Sequence, residues 1–201
     1  MLQPGKIIVI FALSFLVQQQ ALAGTVMVFG DSLSAGYGIP SGKGWVDLLR
    51  ARLGSRHFHV VNASISGETT SGGLSRIVPA IEKFDPEIVI LELGANDGLR
   101  GEPLAVMKKN LDAIVIACKK RKAEVLLVGM RLPPNYGRRY SESFAKIYPE
   151  VARKNGLRLV PFMLEGFAGN LDDFQADGLH PNERAQSKVL SNIWKGLEPM
   201  L

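Results

Sequence analysis

The chain has 201 residues, of which 46% are hydrophobic and 21% charged. These values suit one globular domain rather than a disordered chain. Its single cysteine excludes an internal disulfide. The formal net charge of +5 comes from basic and acidic residues that are scattered along the chain, so the charge by itself identifies no nucleic-acid-binding surface.

The amino terminus has the three-part pattern of a secretory signal peptide. Lys6 supplies positive charge, residues 7–17 form an apolar run, and residues 21–23 (ALA) offer small residues at a cleavage point. This run is shorter than the roughly 20 residues that a membrane-spanning helix needs, although an uncleaved membrane anchor is the alternative. We expect residues 1–23 to be removed and residues 24–201 to form a periplasmic or secreted domain, with no stable membrane insertion.

Five short runs rich in apolar and β-branched residues follow the leader and predict strands. Three of them are almost continuously apolar, which is typical of strands buried on both faces of a parallel sheet. The predicted strands span 25–29, 58–62, 87–93, 124–130 and 157–162.

Helical patterns lie between the predicted strands. Apolar residues recur at spacings of three and four within 45–53, 104–118 and 185–197, and Pro181 suits the start of the last helix. Cys118 falls on an apolar stripe, so we expect a buried thiol and not a nucleophile. Strands that alternate with helices predict an α/β fold, a three-layer doubly wound α/β/α sandwich with a five-stranded parallel sheet, flavodoxin-like in type.

One basic run, at 119–122 (KKRK), stands out from the scattered charges. It lies at the end of a predicted helix, where cations suit the helix dipole. A nucleic-acid patch is the sharper interpretation, but no aromatic residues are interleaved with the lysines. We therefore expect no nucleic-acid partner.

Four loops carry polar residues that packing does not require. Ligands of doubly wound sheets bind beyond the carboxyl ends of the strands, and the loops follow predicted strands one, two, three and five. We therefore expect them to open onto one edge of the sheet. They are 30–34 (GDSLS), 62–69 (NASISGET), 94–97 (GAND) and 177–180 (DGLH).

Acyl transfer needs a hydroxyl, a base and a group that orients the base. Ser32 follows strand one, where a helix N-terminus can stabilise negative charge. His57 and His59 lie at the start of a strand, whereas His180 lies beyond the end of one. Asp177, three residues earlier, can reach the His180 ring, although Asp-x-x-His alone also fits a turn. A metal held by His57 and His59 is an alternative, but no carboxylate or cysteine accompanies them.

The same reaction needs hydrogen-bond donors for the oxyanion. Gly67 offers an unobstructed backbone N–H, Asn96 a side-chain amide and Ser32 its own backbone N–H. Taken singly, Gly67 also fits a turn glycine and Asn96 a helix cap.

The four loops together resemble the conserved blocks of the GDSL (SGNH) hydrolases. They occur in family order, and the resemblance covers the whole mature chain. The runs at 94–101, 131–140 and 177–182 are similar to the bacterial periplasmic thioesterases and lysophospholipases of that family. Departures are Ala95, where glycine is common, and Glu68, where aspartate is frequent.

The resemblance implies a serine hydrolase that cleaves acyl esters and thioesters through a Ser-His-Asp triad and an acyl-enzyme. Ser32 would be the nucleophile and an oxyanion donor, with Gly67 and Asn96 completing the oxyanion hole. It implies no metal and no cofactor, small acyl esters, acyl thioesters or lysophospholipids as substrates, and a monomer. Carbohydrate O-acetyl esterase activity and a non-catalytic periplasmic binding module remain alternatives.

Candidate substrate-lining residues are the apolar and aromatic side chains near these loops. Each also fits a structural role, in the core or in a solvated loop. They are Leu33, Ile65, Tyr136 and Leu179.

Overall fold

The computed structural model describes residues 24–56 and 58–201, so the predicted signal peptide (1–23) and His57 lie outside the described residues. Five parallel strands form one sheet in the order β2-β1-β3-β4-β5. The reversal of strand order beside β1 is the switch point of a doubly wound fold. The strands are β1 (Gly24–Gly30), β2 (Phe58–Asn62), β3 (Ile88–Glu92), β4 (Glu124–Val128) and β5 (Arg158–Val160).

The described chain has seven α-helices, and five of them cover the two faces of this sheet. Helices α3, α5 and α6 pack together on one face, and α2 and α7 pack on the other. The predicted three-layer fold is therefore confirmed. The helices are α1 (Ser32–Ala35), α2 (Trp45–Leu53), α3 (Thr70–Phe84), α4 (Ala95–Leu99), α5 (Leu104–Lys120), α6 (Arg138–Asn155) and α7 (Gln186–Leu197).

The apolar strand patterns are confirmed by burial. All five residues of β3 are buried, as are the last five of β1. Strand β5 is shorter than predicted because Pro161 has no N–H to donate to the ladder. Strand β4 ends before Gly129, although the Gly129 N–H still donates to the Val160 carbonyl at 2.8 Å.

Two features predicted for α5 are confirmed. Cys118 is buried, and burial raises the pKa of its thiol to about 12. Lys119 and Lys120 lie in the last turn of the helix, where they complement the negative end of its dipole.

The start of α7 differs from the prediction. The helix begins at Gln186 after a 3₁₀ turn over Glu183–Ala185. Pro181 does not start it, because Pro181 instead forms an isolated antiparallel bridge with Phe174. The Asn182 N–H donates to the Asp173 carbonyl at 2.8 Å, which keeps this stretch extended.

Gln186 ties the two ends of the described chain together. Its Oε1 accepts a hydrogen bond from the Trp45 backbone N–H at 3.0 Å. Its Nε2 donates to the carbonyls of Pro181 at 3.1 Å and Asn182 at 3.2 Å. The Trp45 indole N–H donates to the Leu33 carbonyl at 3.1 Å. This buried network therefore joins the segment after β1 to the segment before α7.

Replacing Gln186 with leucine should lower the free energy of unfolding by about 1–3 kcal/mol, because it leaves the buried Trp45 N–H without an acceptor. Urea denaturation followed by tryptophan fluorescence measures this loss. Ser187→Ala changes the exposed next residue of α7 and should lie within about 0.5 kcal/mol of the wild type. Equal stability of both variants would contradict a structural role for the Gln186 amide.

Candidate active site

Ser32 is the first residue of α1, directly beyond the carboxyl end of β1. Asp31 caps the helix, since its Oδ1 accepts a hydrogen bond from the Leu33 N–H at 3.0 Å. Gly36, at φ 78°, ends the helix after one turn. The short helix holds Ser32 at the carboxyl edge of the sheet.

The structure brings Ser32, His180 and Asp177 together. The Ser32 hydroxyl lies 2.8 Å from His180 Nε2, and His180 Nδ1 lies 2.6 Å from Asp177 Oδ2. With the Nδ1–H donated to Asp177, Nε2 is left as the acceptor for the serine proton. The geometry is that of a nucleophile, a base and an orienting carboxylate.

A tight turn sets the position of Asp177. Its Oδ1 accepts hydrogen bonds from the backbone N–H groups of Leu179 at 2.9 Å and His180 at 3.0 Å. Burial acts to raise the pKa of this carboxyl, but these backbone bonds and the His180 ring outweigh it and lower the pKa. Asp177 therefore stays ionised as pH falls into the acid range.

Two further residues hold His180, and sequence reasoning missed both. The Tyr37 ring packs against the imidazole with centroids 4.7 Å apart. Gln175 Nε2 donates to the Tyr37 carbonyl at 2.8 Å and to the Pro181 carbonyl at 3.3 Å. These contacts join residues far apart in the chain, so no local spacing could have revealed them. The one available signal was an aromatic residue soon after the nucleophile loop.

Two of the predicted oxyanion donors are Gly67, in the loop before α3, and Asn96, in the first turn of α4. Gly67 has φ 78°, a left-handed conformation that favours glycine, and its carbonyl accepts from Arg100 Nη2 at 2.9 Å. Asn96 Nδ2 donates to Asp31 Oδ2 at 3.1 Å and to the Glu68 carbonyl at 2.9 Å. Both amide hydrogens thus have acceptors, so an oxyanion must share one of them or displace the Glu68 carbonyl. The helix cap beside Asn96 is Gly94, so Asn96 is not the cap.

Glu68, the departure from the family pattern, forms an ion pair with Arg76. Arg76 also donates to the Ala63 carbonyl at 2.6 Å. The pair ties the loop that carries Gly67 to the first half of α3, so Glu68 acts on loop shape and not on Ser32 itself.

Two carboxyl groups are buried beside the segment that carries Ser32. Burial raises the pKa of Asp31 to about 6, and it raises the pKa of Glu92 well above its ordinary value. Glu92 was not among the predicted site residues. The available signal was a single acidic residue near the end of an otherwise apolar strand (IVILE).

The four candidate substrate-lining residues fall into two groups. Ile65 and Leu179 are 51% and 42% exposed, which is unusual for large apolar side chains. Leu33 and Tyr136 are half-buried and pack against the core. The Tyr136 hydroxyl donates to the Leu99 carbonyl at 3.1 Å.

His59, the other histidine of the described residues, does not join this arrangement. His59 is exposed on β2, at the amino-terminal end of the sheet, and His57 is not described. Among the described residues no three side chains of the metal-ligating types cluster together. No helix of the described chain is both long and apolar enough to span a bilayer.

Comparison with known proteins identifies the family of this site. The sequence profile of the GDSL-like Lipase/Acylhydrolase family matches residues 28–188. The chain belongs to this family. The GDSL family assignment and the relatives below make it a hydrolase of ester bonds, in agreement with the resemblance seen in the sequence.

GDSL-family relatives match nearly the whole chain. Esterase TesA of Pseudomonas aeruginosa is 46% identical over 188 residues, covering 92% of this chain and 94% of the relative. Thioesterase 1/protease 1/lysophospholipase L1 of Escherichia coli is 41% identical over 181 residues, covering 90% and 86%. A crystal structure of TesA superposes with a TM-score of 0.86 at 46% identity, covering 88% of this chain and 99% of that one.

Asp177→Asn should change how stability depends on pH. A carboxyl whose pKa is lowered by folding contributes stability above its unfolded pKa, near 3.8, and loses that contribution as pH falls through the folded value. The stability difference between wild type and variant should therefore be largest near neutral pH and shrink in acid. Urea midpoints between pH 7 and pH 3 test this. Asp172→Asn changes a nearby exposed aspartate and is the matched control; the same pH profile for both variants would contradict the assignment.

Proposed function

We propose that the chain is an exported serine esterase in which Ser32 is the nucleophile, His180 the general base and Asp177 the residue that orients the base. The observation that carries this proposal is the 2.8 Å contact between Ser32 Oγ and His180 Nε2, with Asp177 on the other ring nitrogen. A hydroxyl is a weak nucleophile unless a base takes its proton, and this geometry supplies that base.

The first half of the reaction acylates the serine. His180 Nε2 takes the Ser32 proton while Oγ attacks the acyl carbonyl carbon. As the tetrahedral intermediate collapses, His180 returns the proton to the departing alcohol or thiol, and the acyl group stays on Ser32. Water then repeats the sequence in the second half, releasing the acid and restoring the hydroxyl. Asp177 stabilises the imidazolium in both halves.

Three donors would hold the oxyanion in this scheme: the backbone N–H groups of Ser32 and Gly67 and the side-chain amide of Asn96. Donors fixed before the reaction stabilise the developing charge without reorganisation. The Asp31 carboxylate orients the Asn96 amide, and Arg100 holds the Gly67 peptide from its carbonyl side. These contacts hold the donors in place, and an oxyanion would share an Asn96 amide hydrogen or displace the Glu68 carbonyl from it.

Fatty acyl esters, acyl thioesters and lysophospholipids are the proposed substrates. Esterase and thioesterase are the activities in the names of the relatives. The exposed side chains of Ile65 and Leu179 give the site apolar surface for an acyl chain, with Leu33 and Tyr136 as further candidates. The same surface gives no reason to prefer a sugar, so carbohydrate deacetylation is the less supported alternative.

The proposed location is the periplasm, and the proposed state is a monomer. The location rests on the signal-peptide pattern at 1–23. Cys118, the one cysteine in the sequence, is buried with a raised thiol pKa, so it can stay reduced in an oxidising compartment.

Ser32→Ala should abolish labelling by a fluorophosphonate probe and hydrolysis of nitrophenyl esters, because no other hydroxyl is paired with His180 in the described chain. Ser64→Ala removes a serine of the neighbouring loop and should leave labelling intact. Peptide mapping locates the adduct. Labelling at another serine would remove Ser32 from the mechanism, and a wild-type protein inert to both reagents would favour a binding module.

Nitrophenyl esters of increasing chain length separate the remaining alternatives. An acyl surface formed by Ile65 and Leu179 predicts that kcat/KM rises with chain length beyond acetate, because each buried methylene contributes about 0.8 kcal/mol. A strict preference for acetate would instead favour the carbohydrate deacetylase.

Asn96→Ala should lower kcat about 10²–10³-fold, the usual loss for one oxyanion donor, while the protein stays folded by circular dichroism. Asn135→Ala, in the loop before α6, is the control and should keep the wild-type kcat. Unchanged turnover of Asn96→Ala would contradict its role as a donor.

A further inference from the structure

Glu92 is a fully buried carboxyl to which the proposed mechanism gives no role. It is the last residue of β3 and has no exposed surface. Its Oε2 accepts hydrogen bonds from the Ser34 hydroxyl at 2.7 Å and from the Asp31 backbone N–H at 3.3 Å. Its other oxygen, Oε1, accepts no hydrogen bond from the described residues.

Three of the five residues at 30–34 contact the Glu92 carboxyl group. Besides Asp31 and Ser34, Gly30 packs directly on it: a Cβ at Gly30 would lie 2.6 Å from Glu92 Oε2 and 2.8 Å from Ser34 Oγ. Only glycine leaves room for this approach. The residues that flank Ser32 are thus arranged around Glu92.

The Glu92 carboxyl lies in surroundings that oppose a negative charge. None of the ion pairs of the described chain includes Glu92 or Asp31. The other titratable groups that interact electrostatically with Glu92 and Asp31 are Asp97, Tyr148 and His180. An unpaired buried charge is costly, so one of the two carboxyls keeps its proton.

Glu92 is the one that keeps it. Asp31 accepts hydrogen bonds from Leu33 N–H and from Asn96 Nδ2, two donors that favour its ionised form. Burial and the Asp31 charge both raise the pKa of Glu92. A neutral Glu92 therefore leaves the shared negative charge on Asp31, which faces Asn96.

We propose that Glu92 is a positioning residue of the active site, a neutral carboxylic acid that holds Gly30, Asp31 and Ser34 in place and, through Asp31, aims the Asn96 amide. Its catalytic consequence rests on the proposed function, whereas its protonation does not.

The first test concerns protonation and uses Glu92→Gln, with Glu87→Gln as matched control. Glu87 is exposed and lies just before the same strand. A group whose pKa is raised by folding must take up a proton as the chain folds, so wild-type stability falls as pH rises above the unfolded value. The difference between the Tm of Glu92→Gln and that of the wild type should therefore increase by up to about 3–5 °C per pH unit above about pH 5. A gain that does not change with pH, or one that the Glu87→Gln control matches, would overturn the proposal.

Infrared spectroscopy reads the same proton directly. At pH 7 the wild type should show the C=O absorption of a protonated carboxylic acid, and Glu92→Gln should lack it. Identical spectra in that region would mean that Glu92 is ionised and the proposal is wrong. Neither infrared spectroscopy nor the Tm measurement uses substrate. Both therefore test the protonation of Glu92 even if the probe does not label Ser32.

The catalytic test compares Glu92→Met with Glu92→Gln. Methionine keeps the volume but leaves the Asp31 N–H and Ser34 hydroxyl without an acceptor, so kcat should fall roughly 10–100-fold with KM within about twofold, as expected for a misplaced catalytic group. Glutamine, which can accept and donate like the neutral acid, should restore kcat to within about threefold of wild type. Wild-type kcat in a folded methionine variant would overturn the proposal.

Ser34→Ala tests the same positioning role if the methionine variant does not fold. It removes one of the two donors to Glu92 and should lower kcat about 3–10-fold at unchanged KM, the effect of losing one net hydrogen bond. A folded Ser34→Ala with wild-type kcat would contradict the positioning role.

Discussion

The hydrogen bond between His180 Nε2 and Ser32 Oγ depends on two segments that lie 148 residues apart in the sequence. In the parallel sheet β1 lies between β2 and β3, and α1 follows the carboxyl end of β1. The loop that carries His180 is fastened at that edge because Gln175 Nε2 donates to the Tyr37 carbonyl and Gln186 Oε1 accepts from the Trp45 backbone N–H. The proposed chemistry is therefore a consequence of how the carboxyl-terminal segment is tied to the segment after β1.

The second constraint on the site is the pair of buried carboxyl groups, Asp31 and Glu92, beside Ser32. Asp31 caps α1, accepts from Asn96 and shares its surroundings with Glu92. The hydrogen bond from Asn96 links the segment that carries Ser32 to the start of α4. Burying two carboxyls costs stability at neutral pH, and the two lie at the site where the proposed mechanism depends on the placement of donors. This is the common relation between strain or burial and functional sites.

Much of this fold follows from local patterns in the sequence. The apolar runs predicted all five strands, and the residues at 58–62 form β2 with the predicted bounds. The helix spacing predicted α2 and α5 closely. The prediction that Pro181 starts the last helix was wrong, because a proline also fits an extended segment. The bridge between Pro181 and Phe174 decides between the two, and it is a tertiary contact.

Some residues of the candidate site could also be predicted from the sequence, and others could not. Ser32, Asp177 and His180 could be singled out because their loops follow strand ends or hold the one histidine at the correct edge. The supporting contacts could not be found in this way, because Tyr37, Gln175 and Glu92 touch the site across long stretches of sequence. Tertiary contacts of this kind have no period and no motif.

The most direct measurement is a crystal structure of the protein after reaction with a phosphonate ester that mimics the tetrahedral intermediate. The account predicts phosphorus bonded to Ser32 Oγ, the His180 ring in hydrogen-bond contact with the adduct, and the phosphonyl oxygen about 3 Å from the N–H groups of Ser32, Gly67 and Asn96. An adduct on a different residue, or a His180 ring that faces away from Ser32, would contradict it.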